Sequence, residues 1–288
     1  MRRLSLSSPD IIRAKIHRRS TDHFMLFDGM GELAEHYAQI PCRRPRADAW
    51  VGYLSADEAR ERTRYGDLSL VEPSDKLLAR MEQVEMPTSR ARLADDVCGA
   101  LPNVPAFIAG HPLNMRRRKR EESAAAPLAI IADLTTSAAL SAAQIATRGA
   151  AILALVRALS ARRPIELWVC AMLDADNYQN CVTIAARIET TPLDLARAAF
   201  ALTHAAFPRR VLYDHAHHFH GYKGQWPYGT AALTREQMEA VCAPAFSHVS
   251  ETLCIPGLHL QDPLLADPIK WVEGKIAEHG AVNLDDAA

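Results

Sequence analysis

The spacing of apolar positions changes along this chain, and the changes mark out its elements. Leu128-Ala-Ile-Ile-Ala132 is a continuous apolar run closed by Asp133, the length and pattern of a strand buried on both faces. Residues 141–161 are rich in alanine and leucine and free of proline, which predicts a long helix. Ile165-Glu-Leu-Trp-Val-Cys170 opens a second strand over 165–172. Asp174-Ala-Asp-Asn177 reads as a turn, and 181–188 as a third strand, paired antiparallel with the second at a sheet edge. Helices over 193–206, 234–242 and 268–279 and short strands over 211–213 and 249–255 complete this half. The alternation predicts an α/β fold with a Rossmann-like mixed sheet flanked by helices, preceded by an N-terminal helical and extended segment.

Residues 1–47 mix charge, aromatics and proline without a sustained period and read as an arm or wrap, with a short helix over 28–38. Ser55-Ala-Asp-Glu58 is a capping box opening a helix that ends near Tyr65-Gly66. A further helix over 73–84 sets Leu77, Leu78, Met81 and Val84 at helical spacing, facing the core. Residues 98–115 are punctuated by proline and glycine and predict an ordered loop whose apolar residues pack onto something. Arg116-Arg-Arg-Lys-Arg-Glu-Glu-Ser-Ala-Ala-Ala126 has the composition of a solvated connector. The expected divisions are therefore 1–115, a connector over 116–126, an α/β domain over 127–280 and a tail over 281–288.

Candidate chemistry gathers where the first buried strand ends. Side chains alternate across a strand, so Asp133, Thr135 and Ser137 can bring a carboxylate and two hydroxyls around one hard cation, Mg2+ or Mn2+. The bland alternative is that the three simply cap the helix that follows. The D-x-T-x-S pattern resembles the metal-ion-dependent adhesion site of the von Willebrand factor A fold. Arg148-Gly-Ala-Ala-Ile-Leu-Ala-Leu-Val-Arg-Ala-Leu159 followed by the 165–170 strand is similar to the intracellular branch typified by a cobaltochelatase subunit. The resemblance implies that Thr191, just ahead of the 193–206 helix, supplies the separate metal-contacting threonine. It also implies that Asp214, ending Arg210-Val-Leu-Tyr-Asp214, stands where the family carries T-D-G, here without the threonine or the glycine. By that likeness the chain is a non-enzymatic protein-interaction module, its ion keeping one position for a partner's acidic side chain.

Other constellations weigh against this one. His215, His217, His218 and His220 crowd one segment, as a transition-metal site would, although an exposed polar loop has the same composition. No G-x-S-x-G, G-x-G-x-x-G or G-K-[ST] motif occurs, so neither an elbow nucleophile nor a nucleotide-driven enzyme is predicted. Arg116, Arg117, Arg118, Lys119 and Arg120 form a basic run, and Trp50 and Tyr53 follow seven arginines at positions 2, 3, 18, 19, 43, 44 and 46. That combination predicts a second class of function, a replication or transcription accessory protein binding single-stranded nucleic acid. Trp50-x-Gly-Tyr53, Ala109-Gly-His-Pro-Leu-Asn-Met115 and Arg148-Gly-Ala-Ala151 resemble proteins encoded in bacteriophage genomes, which suits either class.

Bulk composition narrows the field without choosing. Apolar residues make up 49% of 288 positions, ample for a real core, and the formal net charge of −1 gives no global attraction to nucleic acid or membrane. The six cysteines, at 42, 98, 170, 181, 242 and 254, are scattered and form no C-x-x-C pair, the usage of reduced thiols. No signal peptide and no uninterrupted apolar span are legible, so a cytoplasmic protein is expected.

Overall fold

A computed structural model describes residues 10–14, 22–42, 47–81, 92–98, 101–119, 126–175, 180–220, 235–243, 245–246, 248–249 and 251–280. The chain divides into two units, the first made of residues 1–81 and 126–281, the second of 82–125 with 282–288.

The first unit is an α/β body around a six-stranded mixed sheet. In chain order it holds β1 (Asp10–Ala14), β2 (Asp22–Phe27), α1 (Met30–Gln39), α2 (Ala56–Tyr65) and α3 (Glu72–Met81). The second unit then contributes β3 (Arg92–Asp96), β4 (Leu101–Pro102), α4 (Val104–Ile108) and β5 (Met115–Lys119). The first unit resumes with β6 (Leu128–Asp133), α5 (Ala142–Ser160), β7 (Ile165–Ala175), β8 (Asn180–Ile188), α6 (Leu195–Thr203), α7 (Tyr213–His220) and α8 (Arg235–Cys242). It ends with β9 (Glu251–Ile255), α9 (Pro263–Ala266) and α10 (Pro268–His279). The strand order is β1-β2-β8-β7-β6-β9.

β6 lies parallel to both β7 and β9, and all six of its residues are buried, as a continuous apolar run requires. Ala129 and Ile131 face a cluster with Trp168, Cys170, Met172 and Ala185, capped by Met238 and Cys242 of α8 and by Phe246. Alternation sends Leu128, Ile130 and Ala132 to the other face. α5 carries a buried apolar surface and packs with α3, α6 and α10. By length and composition α5 is the one helix among the described residues that could cross a membrane, but most of its span lies inside this layer. The capping box read at Ser55 with Glu58 is present, and the structure adds a second, Ser141 with Gln144, at the start of α5.

Four expectations are corrected. The N-terminal arm is part of the sheet: β2 pairs parallel with β8, and β1 adds antiparallel outside it. The β7–β8 hairpin is antiparallel as expected, yet it lies inside the sheet rather than at its edge. Met25 and Phe27 are fully buried, and it is this burial, invisible in a short run flanked by charge, that recruits β2. The expected strand at 211–213 is helical instead, residues 207–212 forming a π-helical segment continuous with α7. Pro208 sits at the start of that segment, a position proline favours, and three apolar residues are too few to fix a period of two. The 116–126 connector is also no linker where it is described: residues 115–119 are β5, the central strand of a three-stranded antiparallel sheet ordered β3-β5-β4. The compact units change over at 81/82 and 125/126, the second within a residue or two of the expected domain start at 127. Val84, Arg120, Asp176 and the 281–288 tail lie outside the described residues.

Candidate interaction site

Asp133 ends β6 with its carboxylate buried and occupied. Thr135 donates to it twice, from its backbone N to Oδ1 at 3.0 Å and from Oγ1 to Oδ2 at 2.8 Å, and Met172 N donates to Oδ1 at 3.3 Å. Burial raises its pKa above the usual carboxylate value, against the pull of these hydrogen bonds and of Arg148. Arg148, buried in α5, donates through Nη2 to the carbonyls of Asp133 (2.8 Å) and Pro256 (2.6 Å), tying the ends of β6 and β9 together. Ser137 belongs to the same loop. Its Oγ accepts from Ala139 N at 3.3 Å and its backbone N donates to Leu258 O at 3.4 Å. Arg209 braces this loop from below, donating to the carbonyls of Ser137 (3.2 Å), Leu140 (2.9 Å) and Trp50 (3.0 Å) while its guanidinium lies over the Trp50 ring.

The other two expected ligands are elsewhere. Thr190 hydrogen-bonds Ile165 O at the start of β7, whereas Asp133 is level with Cys170, five residues along the same parallel pair. Thr191 therefore stands at the opposite end of the sheet, about 16 Å away at the rise of a strand. Asp214 opens α7, buried, and accepts from the Tyr37 hydroxyl of α1 at 3.1 Å. Of the five residues, Asp133, Thr135 and Ser137 share a loop while Thr191 and Asp214 do not join them. The set as a whole does not fit one octahedral ion. Among the described residues, no three His, Cys, Asp or Glu side chains stand in a metal-holding geometry.

The histidine segment is helix, not exposed loop. His215 and His217 are buried and His218 exposed, while His220 closes α7. The His215 ring stacks on His36 (5.1 Å) and Tyr37 (5.5 Å), with Phe27 edge-on at 5.3 Å. Its Nδ1 lies 2.6 Å from Val211 O, which makes Nδ1 the protonated nitrogen, and burial lowers its pKa to about 3. This is a neutral core imidazole. Cys170, Cys242 and Cys254 are buried free thiols, and the hydrogen bond between Cys242 and Cys254, together with burial, holds the Cys242 thiol far above its usual range. That makes it a poor nucleophile.

The second unit is built differently. The short helix α4 is fixed by Asn103, whose Oδ1 accepts from Ala106 N at 3.4 Å and whose Nδ2 donates to Asp95 Oδ1 at 3.1 Å. Asp95 also pairs with Arg116 at 3.4 Å, linking α4 to β3 and β5. The expectation that apolar residues in 98–115 are packed fails: Phe107 is 68% and Ile108 79% exposed, and Leu101 and Val104 are exposed with them. Beside them β5 carries Arg116, Arg117, Arg118 and Lys119 in sequence. Sequence reading missed this surface, although Pro105 and Pro112 bracket too few residues for a helix with an inner and an outer face.

Fold and site together define an α/β protein with a mixed sheet whose end carries an engaged, buried carboxylate, and a small second unit with exposed apolar side chains. More particularly, residues 13–262 match the family described as Domain of unknown function (DUF7192), and the chain belongs to that family. No curated protein and no solved structure matches it.

Proposed function

We propose that this chain is a non-enzymatic protein-interaction module that docks its partner through the apolar surface of the second unit. The observation that carries the reading is the exposure of Phe107 and Ile108 beside Leu101 and Val104 on a unit too small to cover them. Clustered exposed apolar side chains rimmed by charge are the usual mark of a protein contact. The run Arg116, Arg117, Arg118, Lys119 and Arg120 selects a partner that is acidic as well as apolar. The order β6, α5, then the β7–β8 hairpin supports the likeness of the first unit to an A-domain scaffold. An adhesion-type Mg2+ or Mn2+ is no part of this proposal, because both oxygens of the Asp133 carboxylate are engaged by neighbouring protein groups.

The test compares the wild type with a Phe107→Ser/Ile108→Ser double variant in quantitative capture from a lysate of the source organism. Full burial of each side chain is worth about 2 kcal/mol, so the variant is expected to lose a stoichiometric protein partner by at least about tenfold. Equal capture by both proteins contradicts the proposal. Recovery of nucleic acid alone, lost when residues 116–120 are neutralised, transfers the function to the nucleic-acid class.

A further inference from the structure

We propose that a second copy of this chain adds to the outer edge of β3, joining two three-stranded sheets into one through an antiparallel β3–β3 pair. β3 is an edge strand in the order β3-β5-β4, and among the described residues no strand pairs with its outer side. Such an edge presents a row of backbone donors and acceptors and is a template for another strand; proline, a bulge, short length or charge that the incoming strand does not compensate blunts it. The segment Arg92-Leu-Ala-Asp-Asp96 contains no proline, and its register with β5 runs unbroken over all five residues.

The charge pattern selects the occupant. Read from either end, Arg92-Leu-Ala-Asp-Asp96 is complementary to itself when antiparallel, with cation at one end and carboxylates at the other. A twofold axis perpendicular to the sheet pairs residues that share a face, so the pairing must centre on a residue. Centring on Ala94 sets Arg92 opposite Asp96 at both ends of the pair. Centring on Leu93 leaves Arg92 opposite Ala94, and centring on Asp95 sets two carboxylates against each other. One register alone satisfies the charges, and cross-strand pairs of opposite sign stabilise a sheet where like pairs destabilise it. Asp95 is not left uncompensated there, because Asn103 and Arg116 of its own unit already hold it. Val97, exposed directly after the strand, extends the contact with apolar surface. The proposal is independent of the docking surface on α4: a dimer can form with Phe107 and Ile108 replaced, and a partner can dock on a monomer.

Sedimentation velocity of the full chain over a range of concentrations tests it. The wild type is expected to shift from monomer to dimer with rising concentration. Arg92→Asp and Asp96→Arg, each placing like charges opposite one another, are expected to weaken that association about tenfold or more, and the Arg92→Asp/Asp96→Arg double exchange to restore it to within about threefold. Restoration by the double exchange separates charge pairing from any failure of a single variant to fold. The Phe107→Ser/Ile108→Ser variant is expected to dimerise like the wild type. A wild type that stays monomeric at the highest concentration overturns the proposal, as do single variants that dimerise normally or a double exchange that fails to restore.

Discussion

Arg148 and Asp133 meet where β6 gives way to its loop, and there the two buried groups hold the backbone. The Asp133 carboxylate accepts from Thr135 and Met172, and Arg148 Nη2 donates to the carbonyls of Asp133 and Pro256. Removing one member of a buried ionic arrangement leaves the other uncompensated, so Arg148→Met is expected to cost about 3 kcal/mol in urea denaturation at neutral pH. A loss below about 1 kcal/mol would show that the clamp contributes little. His215 makes a pH prediction of definite sign. Its folded pKa, about 3, is below the ordinary 6.5, so the unfolded chain binds the extra proton between those values and stability falls as pH drops through that window. His36 and His204, also lowered chiefly by burial, act in the same direction, while Asp133, raised by burial, opposes them at lower pH. Between pH 6.5 and 5, His215 alone is expected to remove about 2 kcal/mol, a loss that His215→Phe should abolish. Parallel pH profiles for the two proteins would contradict the assignment. At this scale the sequence marked Asp133 as special but not its role. Whether a carboxylate faces a cation or a backbone depends on a loop folding back and on Met172, 39 residues downstream.

Elements were legible where their determinants are local. The start of α2 follows from its serine capping box, α5 from its alanine-rich run, and β6 and α10 coincide with their expected spans. β2 and the helical 207–220 segment were not legible, because tertiary burial decided them: Phe27 and His215 pack edge to face, a contact between residues far apart in the chain. Gly149 shows how packing outweighs propensity. Alanine there would gain about 1 kcal/mol of helix propensity, yet its Cβ would stand 2.1 Å from the backbone oxygen of Leu202 in α6. Gly149→Ala is therefore expected to destabilise, by about 2 kcal/mol or more, seen as a lowered Tm; a raised Tm would show that α5 and α6 do not approach so closely.

On the scale of the whole chain, the family match over 13–262 takes in both the sheet of the first unit and the small β3-β5-β4 unit carried between α3 and β6. The α/β class was legible because strands and helices alternate in sequence. The two-unit division was not, because a basic, proline-punctuated stretch has the same composition whether it is a linker or a strand beside a short helix. The proposed function follows that division: in the first unit the Asp133 carboxylate is engaged by neighbouring protein groups, and the second unit leaves apolar side chains exposed. The most direct measurement is site-specific photocrosslinking in the source cells, with a photoreactive phenylalanine analogue at position 107 and, as control, at exposed Tyr53. The account predicts one discrete protein adduct from position 107 and none from position 53. No protein adduct from position 107, or adducts to nucleic acid alone, would contradict it.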